Sequence, residues 1–142
     1  MKTVILLLSL LGGALHAQDC NVCGLWYPED NHNSTVEIYV EDGELKGKVY
    51  WMNNPNLANG EPILDSLNKS DELRNRPVVG MVFLYGFEKD GDAWENGKVY
   101  NSQNGKIYSA EIKLTNEGKL KLTGYIGITL LGKSVYWDKV EG

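Results

Sequence analysis

The chain has 142 residues and a formal net charge of −5, with 14 lysines and arginines against 19 aspartates and glutamates. This length suits one hydrophobic core rather than two. The acidic balance, with basic residues scattered singly, excludes the clustered cationic stripe that nucleic acid or an anionic membrane surface requires.

The first residues read as a secretory leader. Lys2 precedes an apolar run from Val4 to Leu11, and Gly12, Gly13, Ala14 and Ala17 lead into Gln18, the layout of a signal peptide with cleavage expected after Ala17. Residues 1–17 are therefore assigned to the leader and 18–142 to one exported domain, periplasmic or extracellular. The run is too short to span a membrane, and no later stretch replaces it. Cys20 and Cys23 follow the predicted cleavage site. In an exported chain such a pair is expected to form a disulfide, since the second ligand pair that zinc needs is missing and no α/β context supports thiol redox work.

Beyond the cysteines the apolar residues alternate with period two, the pattern of strands with one face inward. Val36, Ile38 and Val40 alternate with polar partners up to a turn at Asp42-Gly43, after which Leu45, Gly47, Val49 and Trp51 define the inward face of a return strand. From Asn53 to Pro77 the chain carries Pro55, Gly60, Pro62 and Pro77 among Asn and Asp residues. This predicts a long connection, with one helical turn over Asp71 to Arg74 capped by Ser70, that plugs a barrel mouth or shields the next strand. That strand, Val78 to Phe87, is apolar at almost every position, so both of its faces must be covered. Turns at Asp90-Gly91 and Asn104-Gly105 bracket a strand around Lys98 to Tyr100. A second hairpin pairs Tyr108, Ala110, Ile112 and Leu114 with Leu120, Leu122 and Gly124, and a last strand runs from Lys133 to about Val140. Seven or eight short strands without an amphipathic helix predict an all-β, antiparallel up-and-down barrel, whose closure removes exposed edges.

Three similar strings, Gly47-Lys48-Val49-Tyr50, Gly97-Lys98-Val99-Tyr100 and Gly105-Lys106-Ile107-Tyr108, read first as strand starts with glycine at a bend. The sharper reading has their tyrosines lining one mouth. No catalytic residue is singled out. The histidines are His16, in the leader, and His32, in a polar loop, so a nucleophile–histidine system has at most one poor base. No metal site or cofactor is expected. An enzyme would require Asp65, Asp71 or Glu95 to meet an arginine or tyrosine inside an open pocket. Arg74 and Arg76 are the two arginines of the chain. They read either as a fork for a carboxylate or phosphate, or as structural partners of a tryptophan and of Asp65, Asp71 or Glu72, with the structural reading ahead. Trp26, Trp51, Trp94 and Trp137 are expected to fill the core or the barrel ends.

Gly24-Leu25-Trp26 resembles the Gly-x-Trp of lipocalin-type barrels. The ordered series Leu73-Arg74-Asn75-Arg76-Pro77-Val78-Val79-Gly80, Trp94, the last two Gly-Lys strings, Gly124-Tyr125-Ile126-Gly127 and Trp137 resembles a lipocalin-like bacterial exported family designated a domain of unknown function. The resemblance implies a calycin-like barrel that holds a small apolar or amphipathic molecule, in a monomer or homodimer, and implies no reaction. Asn96 stands where a second glycine is expected, and Asn101-Ser102 where Asp-Pro is expected.

The reading that follows is a binding protein with Trp51, Tyr100 and Tyr108 near the cavity and Arg74 or Arg76 meeting a polar head. The alternative is a solid barrel acting as an envelope interaction module through the Val78 to Phe87 strand.

Overall fold

In the computed structural model, residues 20–126 and 129–141 are described. The predicted leader at 1–17, and Gly127, lie outside them. Eight strands among these residues run in chain order: β1 (Gly24–Tyr27), β2 (Ser34–Glu41), β3 (Glu44–Met52), β4 (Val82–Asp90), β5 (Ala93–Asn101), β6 (Lys106–Leu114), β7 (Leu120–Ile126) and β8 (Thr129–Lys139). Each is antiparallel to its neighbours, and β1 closes on β8 through Trp26–Lys139 and Tyr27–Asp138. The barrel is therefore the expected up-and-down one.

The predicted inward faces form the core. Val36, Ile38, Leu45, Ala110, Ile112, Leu120 and Leu122 are buried with Trp26, Trp94 and Trp137. Glycine makes room where inward side chains converge. A Cβ on Gly97 would stand 2.1 Å from the Phe87 ring, and one on Gly47 2.7 Å from Leu84. These two positions of the repeated string are thus close-approach sites, which explains their glycines better than a bend does.

Three departures from simple alternation set the geometry of the site. Thr35 pairs with Trp51 but Val36 pairs with Val49, so Tyr50 is an extra residue in β3. A bulge of this kind reverses the parity of every residue beyond it. In β4, Leu84 and Phe87 both point inward although they lie three apart, because Gly86 adopts φ 78 between them. In β5, Asn96 takes φ 62 at the shift between Trp94 and Gly97. This is the left-handed conformation that glycine or asparagine accepts most readily.

The predicted Val78 to Phe87 strand is corrected at its start. Val78 to Met81 form a turn, with Gly80 at φ 95, and β4 begins only at Val82. The turn is tied to β3 by Val49 N–H donating to the Met81 carbonyl and Gly80 N–H to that of Val49. The predicted helical turn is a 3₁₀ turn over Asp71–Leu73. Ser70 occupies its N-cap position, but its side chain caps nothing.

At one end of the barrel, the base, the turn between Cys20 and Cys23 packs against the core. The two cysteines are joined by a disulfide, Val22 is fully buried, and Trp26 Nε1 donates to the Val22 carbonyl at 2.8 Å. The loops after β1, β3 and β5 gather at the opposite end, the mouth.

Candidate functional site

The inward side chains thin out toward the mouth and leave a cavity of about 340 Å³. Val36, Val49, Phe83, Val99, Leu122 and Trp137 form its wall, and Val78 and Met81 of the turn before β4 close one side. Polar groups appear at the rim, where Ser34, Asn101, Ser102, Gln103 and Tyr108 stand. Among the described residues, no ionisable side chain other than the tyrosines Tyr100 and Tyr108 lines the space. Such a site takes an apolar body and offers hydrogen bonds to a neutral polar end. Its described lining gives a carboxylate no cationic partner, and burying an unpaired charge is strongly unfavourable.

Of the predicted ligand residues, Tyr100 and Tyr108 line this cavity. The Tyr108 hydroxyl accepts from Asn104 Nδ2 at 3.0 Å at the rim. Trp51 does not reach it. The bulge at Tyr50 turns Trp51 outward, 44% exposed, and brings Met52 to the cavity instead. Tyr50 also points outward, so two of the three repeated tyrosines share the mouth.

Arg74 and Arg76 are likewise absent from the cavity. Arg74 donates from Nε to the Asn68 carbonyl at 2.6 Å and pairs through Nη1 with Asp71 at 2.5 Å. Arg76 donates from Nε to Asp65 Oδ2 at 3.0 Å and lies 5.8 Å over the Tyr100 ring. The aromatic partner is thus a tyrosine, not a tryptophan.

Asp65 is the keystone of this cluster. It is fully buried, and besides Arg76 it accepts from the Tyr100 hydroxyl at 2.6 Å on Oδ1 and from Asn68 Nδ2 at 2.9 Å on Oδ2. Burial, and then donation to Asp65, push the Tyr100 phenol above its ordinary value. A buried carboxylate is tolerated when its oxygens are met in this way. The network fastens the long connection to β5, and it is sealed rather than open, since Asp65 lines neither the cavity nor the groove outside it. The carboxylates weighed for catalysis are not gathered in an open pocket. Asp71 meets Arg74 at the surface. The Glu95 carboxyl is raised chiefly by the neighbouring charge of Asp90. Among the described residues, no group of three or more His, Cys, Asp or Glu could hold a metal ion.

Sequence alternation points to Val36, Val49 and Leu122 as inward residues. Met52, Val78 and Met81 carry no such signal, because a bulge and an irregular turn place them.

A closed eight-stranded antiparallel barrel with an apolar cavity at one mouth defines the calycin class of architecture. The chain belongs to the family described as "Uncharacterized protein conserved in bacteria (DUF2147)", whose profile matches residues 24–139. Among solved structures it is similar to protein HP1028 from the human pathogen Helicobacter pylori, described as belonging to the lipocalin family. The two share 24% identity over 84% of this chain and 83% of that one, with a TM-score of 0.67. No curated protein matches the chain.

Proposed function

We propose that the protein is an exported carrier whose barrel takes one small, uncharged, mainly apolar molecule. The observation that supports this reading is the cavity of about 340 Å³, apolar within and, among the described residues, polar but uncharged at its rim. Its size falls at the low end of the roughly 300–1,000 Å³ of small-molecule sites. Both arginines lie outside the cavity, which removes from it the head-group partners that a fatty acid-like anion would need. The leader-like first 17 residues support export. The interaction-module reading rested on an uncovered outer face of the Val78 to Phe87 strand. Val82 and Tyr85, on that outer face, lie beside residues of the long connection, which covers it only in part; that reading also supposed a solid barrel, and the cavity supports the carrier instead.

The test is a titration with 1-decanol, decanoate and decylammonium, followed by tryptophan fluorescence. Trp137 lines the cavity, so 1-decanol produces a saturable change that Trp137→Phe removes and Leu122→Trp blocks by filling the space. A fluorescence response to decanoate through Trp137 as strong as that to 1-decanol, or no saturable response to 1-decanol, contradicts the proposal.

A further inference from the structure

We infer that the groove between the long connection and the outer barrel wall is a second binding site, for a small amphiphilic oxyanion. The groove has a volume of about 490 Å³. Its floor is apolar, made by Val82 and Tyr85 of β4 and Ile107 of β6, with Leu73 of the connection facing them. Ile107 is 58% exposed and Leu73 39%, so the chain leaves this surface largely uncovered.

The groove persists because the connection is pinned beside it rather than packed into it. One pin is Asp65, held by Tyr100 and Arg76. The other is Leu67, whose backbone lies so close to Gly105, at φ 73, that a Cβ there would stand 2.3 Å from the Leu67 carbonyl oxygen. Glycine is the residue that admits this contact. Just past the pins, Asn68, Lys69, Ser70 and Leu73 of the connection line the groove.

Two cations overlook the apolar floor. Arg76 uses Nε on Asp65, and its terminal nitrogens have no partner among the described residues. Lys69 lines the same groove and likewise has none. A partly buried guanidinium with both terminal nitrogens still unused suits an oxyanion, and the nearby ammonium adds to the attraction. The apolar floor requires that the anion carry a hydrocarbon chain. Tyr100 lines this groove on one side and the barrel cavity on the other, so the two sites are separated by one ring and differ in the charge they accept.

The experiment is methyl-resolved NMR of the mature protein titrated with decanoate, acetate and 1-decanol. Decanoate shifts the methyl signals of Leu73, Val82 and Ile107 and binds there at least about tenfold more tightly than acetate or 1-decanol, a difference of about 1.4 kcal/mol. Ile107→Asp and Lys69→Glu, both at exposed positions, each weaken it by about tenfold. The response of the Val49 and Leu122 methyls to 1-decanol stays unchanged in both variants and reports the barrel cavity separately. Decanoate shifts confined to Val49 and Leu122, equal binding of acetate, or insensitivity to both substitutions would overturn the second site. Binding of a chain without an anion, or of an anion without a chain, thereby separates a lipid-like ligand from a free anion.

Discussion

At the scale of single residues, the protein depends on a buried carboxylate whose pairing with an arginine is among the readings of the sequence, while its burial and its bond to Tyr100 are not. Asp65 appears in the chain as one acid among several in a polar connection. Only the fold brings Tyr100, 35 positions away, to its Oδ1. Tyr100→Phe removes that donor and leaves the carboxylate with Arg76 and Asn68, so the variant should lose about 1–3 kcal/mol of stability in denaturant unfolding at neutral pH. The phenol also gives the protein an alkaline signature. Its folded-state pKa is raised above 10.0, so the stabilisation is complete below the unfolded value and is lost as pH rises through the folded one. Denaturant midpoints measured from about pH 9 upward should fall in the wild type, and Tyr100→Phe should lack that part of the decline. A decline of equal size in both proteins would assign it to other groups.

At the scale of the strand, alternation made most of the barrel legible, and bulges mark where legibility ends. The hairpins β2–β3 and β6–β7 follow their apolar pattern because each has one face in the core. Trp51 was misplaced because one extra residue at Tyr50 inverts inside and outside, and no local property of the sequence announces that insertion. The Val78 to Phe87 run was read as one strand because composition does not separate an apolar turn from an apolar strand. Gly97 gives this scale its test, since the Phe87 ring occupies the space that a side chain would need. Gly97→Ala should cost about 1–3 kcal/mol by overpacking. Adding Phe87→Leu should recover part of that loss, so the double mutant departs from additivity by at least about 0.5 kcal/mol. Additive losses in thermal or denaturant unfolding would show that the two residues do not compete for the same space.

For the molecule as a whole, the two ends of the barrel carry different tasks. The base is plugged by Val22 under the Cys20–Cys23 bridge, and Lys139 Nζ donates to the Cys23 carbonyl at 3.1 Å. The bridge closes a very short loop, so its loss by Cys20→Ser with Cys23→Ser should lower stability by only about 2 kcal/mol on a chain-entropy account. It should leave binding at the mouth unaltered, which titration with 1-decanol checks. The mouth keeps the cavity, and its chemistry was the part least readable from the sequence. Two arginines beside a proline read as an anion fork or, with more weight, as structural partners of nearby acids; Arg76 meets Asp65, Arg74 meets Asp71 and the Asn68 carbonyl, and among the described residues no cation lines the barrel cavity. The most direct measurement is native mass spectrometry of the protein purified from its native host, beside the Leu122→Trp variant. A stoichiometric neutral adduct on the wild type that is absent from the variant is the predicted result; bare masses for both, or an adduct that Leu122→Trp leaves in place, would contradict a carrier that binds within the barrel.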